Sequence, residues 1–294
     1  MRLKILGCGN AFSTKQYNQC FLLEEDGRRM LFDCGFQIPA AFNYHGIDIK
    51  TIDDIYISHA HADHCGGLEW MAFSRYDWVN RPKKYDANKF SPRYAPRLIA
   101  NKTLLSNLWY KTLMGGLESM EGFQSTIETF FEPLSIGENE SFIWQGWECS
   151  LIQQIHIMTG SMIASTFGLF MKKFGKPSLY FTADSQHCSP KQMELFYKDA
   201  DMIFQDTELI GVDTLTKEVR FSSGVHASYG QLASWEKVNA IKLPVAVRNK
   251  MWLSHYQDFA LENKNFFGQN CDWDALAKED GFSGFLKLGQ EFEI

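Results

Sequence analysis

Three histidines and an aspartate fall within six residues, His59-Ala60-His61-Ala62-Asp63-His64, inside the stretch SHAHADHCGG. The chain has eight histidines in 294 residues, and three of them stand here. Clustered imidazoles add little stability on a surface, and buried ones need partners. A metal ion is the partner that suits them, and zinc or manganese accepts both histidine nitrogens and carboxylate oxygens. In an extended loop His59 and His61 point the same way, because side chains alternate, so both can reach one ion. Asp63 and His64 lie on the turn that follows and can face a second ion. Four ligands are half of such a site. The chain must therefore fold so that distant segments bring the remainder to this loop.

Residues 55–57 read as a buried strand that ends at the cluster, and GGLEWMAF after it as a helix start. The cluster thus sits on a strand-to-helix loop, where open α/β sheets hold ligands. Residues 2–6, 20–23 and 30–32 read as strands, the last two joined by the polar EEDGRR turn. PAAFNYHGI reads as a short helix stopped by Gly46. From residue 141 strands resume as SFIW, ECSLIQQIHI, TFGLFMKK and SLYFTAD. SPKQMELFYKDA reads as a helix capped by Ser189 with Pro190 at its first position. MIFQDTE and KMWLSH read as strands, SYGQLASWEKVNA as a helix and GFLKLGQEFEI as a terminal strand. Strands then helix, twice over, predict an α/β chain of two sheets face to face with helices outside, as a single domain over 1–294. Three strand-like runs end on a possible ligand: His156 after LIQQI, Asp184 at LYFTAD and His255 after MWLS. Strand ends at one edge of a sandwich can converge. Carboxylates there also balance charge, since three neutral imidazoles per ion leave a site strongly cationic.

Residues 75–135 read differently, as a partly helical insertion over the site. They hold Pro82, Pro92 and Pro96 and an amphipathic run, TLLSNLWYKTLM. From Arg75 to Lys111 nine Lys and Arg face two acidic residues, a local +7 in a chain of net charge −6. This is either a solvated helical face or an anion-attracting rim beside the metal loop. The overall acidity argues against bulk nucleic-acid binding. Seven scattered cysteines without a CxxC read as reduced thiols of a cytoplasmic protein. No apolar run is long enough for a membrane span.

The HxHxDH loop followed in order by His156, Asp184 and His255 resembles the metallo-β-lactamase superfamily of dinuclear hydrolases. The N-terminal pattern ILGCGNAF…NQCFLL…RMLFDCG is similar to the first strands of that fold. The resemblance implies a four-layer αββα sandwich. It implies one metal on His59, His61 and His156, another on Asp63, His64 and His255, and Asp184 bridging them. Di-iron relatives carry a glutamate where His61 stands, so oxygen chemistry is disfavoured. Two ions roughly 3.5–4 Å apart would share a hydroxide and polarise the bond under attack, which implies hydrolysis. Asp63 would also accept a hydrogen bond from that hydroxide.

His226, in SSGVHASYG, resembles the leaving-group acid of the phosphodiesterase branch, which includes the tRNA 3′-end endonucleases. Glu208, in QDTE, is the candidate to orient it. The tRNA enzymes carry a long Gly/Pro-rich arm between the third metal histidine and the bridging aspartate, and here only 28 residues separate His156 from Asp184. A small phosphodiester, as in the similar phage and bacterial enzymes that cleave cyclic nucleotides, therefore fits better. An RNA-processing endonuclease and a lactonase or other ester hydrolase remain the alternatives. Trp78, Tyr85, Tyr94, Trp109 and Tyr110 could stack a base or pack in the core. His45 and His187 read as structural. The resemblance further implies a homodimer.

Overall fold

The computed structural model describes residues 1–76, 95–238 and 240–294. Two seven-stranded sheets form its centre. The first runs, in spatial order, Glu291–Glu293, Arg2–Gly7, Cys20–Glu25, Arg28–Phe32, Asp54–Tyr56, Arg97–Asn101 and Glu132–Ile136. The second runs Gly284–Phe285, Met251–Ser254, Met202–Asp206, Leu179–Phe181, Met162–Lys172, Trp147–Thr159 and Ser141–Trp144.

Strand alternation sorts side chains between two cores. Along Cys20–Glu25, Phe21 and Leu23 enter the space between the sheets, and Cys20 and Leu22 enter the layer under the helices. Both faces are covered, so the strands read as near-continuous apolar runs. Between the sheets Phe32 packs on Phe181 with ring centroids 5.1 Å apart, and Phe181 stacks on Phe204 at 4.7 Å. Outside the first sheet lie the helices Ile38–His45 and Leu68–Arg75, which bury Phe42, Leu68 and Met71 against it. Gly46 ends the former in the left-handed conformation, φ 65°.

Three expectations change. The 75–135 segment supplies two strands of the first sheet, Arg97–Asn101 and Glu132–Ile136, paired in parallel. The helical part is the run between them, Lys102–Asn107, Leu108–Leu113 and Met114–Leu117. Arg97, at the start of its strand, bonds the buried Asp54 carboxylate at 2.7 Å, so it is a structural cation. Trp109 is buried, while Tyr110 is exposed. Arg81, Lys83, Lys84, Lys89 and Arg93, with Trp78, Tyr85 and Tyr94, fall outside the described residues. The expected terminal strand splits in two: Gly284–Phe285 joins the second sheet, the chain turns at Gly289 (φ 79°), and Glu291–Glu293 joins the first. The expected helix from residue 228 is one turn, Tyr229–Leu232, ended by Ser234 at φ 58°.

Parallel strands set the position of the site. Arg28–Phe32, Asp54–Tyr56 and Arg97–Asn101 run in parallel, as do Leu179–Phe181, Met202–Asp206 and Met251–Ser254. Each group therefore ends at one edge, and the candidate ligands other than His156 follow those ends.

Candidate metal centre

His59 and His61 leave the first sheet after Asp54–Tyr56, and Asp63 and His64 lie on the helical turn Ala62–Cys65 that His61 precedes. The turn is pressed against a neighbouring loop, where a Cβ added to Gly35 would come 2.1 Å from the Asp63 carbonyl oxygen. His156 sits where the pairing of Trp147–Thr159 with Met162–Lys172 shifts register, between Ile155 and Ile157. A bulge of this kind re-aims a side chain. Asp184 follows Leu179–Phe181 through Ala183 at φ 55°, and His255 follows Met251–Ser254 at φ 61°. Non-glycine residues at positive φ are strained, and such strain gathers at functional sites.

Two groups result. His59, His61, His156 and Asp184 converge in one, and Asp63, His64, Asp184 and His255 in the other. Asp184 belongs to both, and apart from His61 all are buried. In the first, His59 Nε2 and His156 Nε2 lie 3.0 and 3.1 Å from His61 Nδ1, and both lie 3.8 Å from Asp184 Oδ2. In the second, His64 Nε2 is 3.2 Å from Asp63 Oδ2 and 3.1 Å from Asp184 Oδ1. His255 Nε2 is 3.3 and 3.5 Å from the same two oxygens.

The rear nitrogens decide what these atoms present. His156 Nδ1 meets the Val225 carbonyl oxygen at 2.9 Å, and a carbonyl only accepts, so His156 donates there and its Nε2 carries a lone pair. His64 Nδ1 donates to the Asp33 carboxylate at 2.7 Å, which leaves Nε2 a lone pair. Ser58 Oγ donates to Asp33 Oδ2 at 2.8 Å and so accepts from His59 Nδ1 at 3.0 Å, with the same result at His59 Nε2. Lone pairs and carboxylate oxygens thus converge with too few protons between them. His64 Nε2 and Asp184 Oδ1 are buried and have no hydrogen-bond partner among the described residues. Divalent cations would satisfy this donor set, and the residues fit the metal role.

The charges divide between the two groups: His59, His61 and His156 are held neutral, while the carboxylates draw His64 and His255 toward the protonated form, a positive charge that a bound cation would replace. Burial lowers the basicity of His59, His61 and His156, which keeps them neutral as ligands require. Burial also disfavours charge on His64 and His255, but Asp184 and its neighbours outweigh it, and His255 is pushed up to about 10. In turn the histidines hold Asp63 and Asp184 well below the usual carboxylate range, against the effect of burial.

Beside the cage, His226 Nδ1 bonds Asp206 Oδ2 at 2.8 Å and lies 3.9 Å from Asp184 Oδ2. Burial lowers the basicity of His226, and Asp206 more than restores it. Asp206, at the end of Met202–Asp206, also accepts from the Ser185 N–H at 2.8 Å, and its Oδ1 faces His255 Nδ1 at 3.2 Å. Glu208 does not orient His226. It lies past the strand end, where its backbone pairs with Ser228 and its carboxylate accepts from the Ser223 N–H at 3.0 Å. It braces the loop that carries His226. Asp33 and Asp206 are the residues that motif reasoning missed. Both end apolar strand runs, RMLF and MIFQ, as Asp184 nearly does, and a search for strand-end carboxylates would have found them. His45 and His187 bond the carbonyl oxygens of Leu6 and Ile241, away from the cage. Cys65 and Cys188 are buried in the packing.

A cleft of about 400 Å³ opens on the first ligand group, lined by His59, His61 and His156 and by Asn101, Gln153 and Phe167. Its volume suits a small ligand.

Residues 1–292 match the family described as Anti-Pycsar protein Apyc1. The Apyc1 protein of Paenibacillus harenae is 32% identical over 267 residues, covering 88% of this chain and 90% of that protein. Among solved structures, the metallo-β-lactamase fold protein YhfI of Bacillus subtilis gives a TM-score of 0.66 at 15% identity, over 100% of this chain and 99% of its own. Zn²⁺-bound PqqB of Methylobacterium extorquens gives 0.66 at 13% identity, over 100% of both chains. The two sheets and their outer helices are thus the αββα sandwich of the metallo-β-lactamase fold. With a match over nearly its whole length, this chain belongs to the Anti-Pycsar protein Apyc1 family.

Proposed function

We propose that the chain is a metal-dependent phosphodiesterase that hydrolyses a cyclic nucleotide, with one zinc ion on His59, His61 and His156, a second on Asp63, His64 and His255, and Asp184 between them. The observation that carries this is the pair of ligand groups sharing one carboxylate, with a carboxylate-held histidine beside it. Bound divalent ions supply Lewis acidity and bring the pKa of water toward about 7. The protein residues do the rest. Asp63 and Asp184 balance the charge and turn their oxygens into the cage. His226 is anchored by Nδ1 on Asp206, so its Nε2 is the atom that hands a proton to the departing oxygen. Opening a cyclic phosphodiester expels an alkoxide, and protonating it contributes about 10²–10⁴-fold. The cleft of about 400 Å³ favours a small substrate. The seven unpaired cysteines are consistent with a cytoplasmic setting, and no helix among the described residues is long and apolar enough to cross a membrane.

The test is turnover by purified protein loaded with Zn²⁺ or Mn²⁺ on a cyclic nucleotide panel, an acyl lactone and a pre-tRNA. Metal-dependent opening of a cyclic nucleotide is expected. Its absence, with turnover of the lactone or the RNA instead, would replace this reading by one of the alternatives.

A further inference from the structure

The loop after Arg2–Gly7 displays a ring with no packing role. Phe12 is 86% exposed, and among the described residues no ring or cation packs on it. The backbone beneath it is nonetheless held. The Phe12 N–H donates to Asn10 Oδ1 at 3.1 Å. Ser13 Oγ and the N–H groups of Thr14 and Lys15 donate to Asp258 at 2.5, 2.7 and 3.1 Å. Gln37 Nε2 donates to the Ser13 carbonyl oxygen at 2.8 Å.

The loop stands beside the second ligand group. Arg2–Gly7 and Arg28–Phe32 are both antiparallel to Cys20–Glu25, so both end at the edge where the ligands gather. The Cys8 carbonyl accepts the His255 N–H at 2.8 Å, and Gly9 bridges to Tyr256. Phe12 is therefore four residues from a direct backbone contact with a ligand-bearing residue. An exposed ring on a loose loop would lose backbone and side-chain entropy on every binding event, and one whose backbone is already held loses less. A phenyl face takes any base by stacking, without a hydrogen-bond code.

We propose that Phe12 is the face on which the base of the substrate stacks, and so a specificity-determining residue. This rests on the cyclic-nucleotide reading above. Stacking of one base contributes about 5- to 150-fold to binding. The test compares wild type, Phe12→Ala and Phe12→Trp on a cyclic nucleotide and on the matching abasic ribose cyclic phosphate, followed by phosphorus NMR. Phe12→Ala is expected to raise KM for the nucleotide by that factor, to leave kcat near wild type, and to change abasic turnover little. Phe12→Trp is expected to retain the wild-type KM. An unchanged nucleotide KM overturns the proposal, as does an equal loss on both substrates. So does a shift in sedimentation without a KM change, which would place the ring in an interface. A wild type that opens no cyclic nucleotide defeats the phosphodiesterase reading itself and is told apart by that control.

Discussion

Replacing Asp206 by asparagine tests whether one carboxylate serves both the metal cage and the acid. Asp206 Oδ2 accepts from Ser185 N–H and His226 Nδ1, each at 2.8 Å, and Oδ1 faces His255 Nδ1 at 3.2 Å. An asparagine has one acceptor oxygen. Set in the Oδ2 position, it keeps two contacts and turns its NH₂ on His255. The opposite orientation loses two contacts, so the first prevails and the loss falls on the metal side. Losing such an outer partner of a ligand costs about 10–100-fold in metal affinity. The neutral amide also stops supporting the charge on His226, which removes part of the about 10²–10⁴-fold acid contribution. The assay is metal content under chelator competition, then turnover at saturating metal on a cyclic nucleotide and on bis(p-nitrophenyl) phosphate, whose aryl leaving group needs no proton. Asp206→Asn should lose metal affinity and, at saturating metal, lose more rate on the nucleotide than on the aryl ester. His226→Ala should hold metal normally and be impaired on the nucleotide alone. The double variant should fall short of the product of the two effects, because both act through one contact. Wild-type metal affinity with equal rates on both substrates in Asp206→Asn would refute the reasoning.

The other predictions address how the cage is built. Asp33→Asn removes the charge that fixes His64 Nδ1 and Ser58, and should weaken metal binding about 10–100-fold, read by chelator competition. Gly35→Ala places a Cβ 2.1 Å from the Asp63 carbonyl oxygen, so the Ala62–Cys65 turn must move; a lower metal content and a lower melting temperature are expected. Asp258 is held below the usual carboxylate range: burial raises it, but the Ser13 and Thr14 donors outweigh burial. A depressed folded value means stability present above the unfolded value of about 3.9 and lost as pH falls through the folded value. Asp258→Asn should therefore flatten acid unfolding below about pH 4 and cost about 1 kcal/mol at neutral pH, discounted for partial exposure, by denaturant titration.

Much of the site is legible in the sequence. A loop with four potential ligands in six residues has few other uses, and Asp184 and His255 each follow a short apolar strand run, the local mark of a side chain delivered to an edge; His156, expected at a strand end, instead lies within Trp147–Thr159 and is re-aimed by a register shift that its sequence does not announce. The periodicity also separated the sandwich halves, because a strand buried on both faces is an apolar run of five or so residues whatever its neighbours. Prolines and cations disguised Arg97–Asn101, which is short, begins with an arginine and is a strand only because Asp54 and Glu132–Ile136 receive it.

Local sequence, then, settled which residues can bind a cation, since donor chemistry belongs to the side chain alone. Which atom each one offers was decided in three dimensions. The lone pairs of His59, His64 and His156 are set by Ser58, Asp33 and Val225, the last of them 69 residues away along the chain. The choice of Asp206 over Glu208 was decided there too. The two differ by two positions in sequence, and only the strand that ends at the first aims its carboxylate at both His226 and His255. Hydrogen-bond direction depends on where a backbone stops, and that is a property of the sheet as a whole.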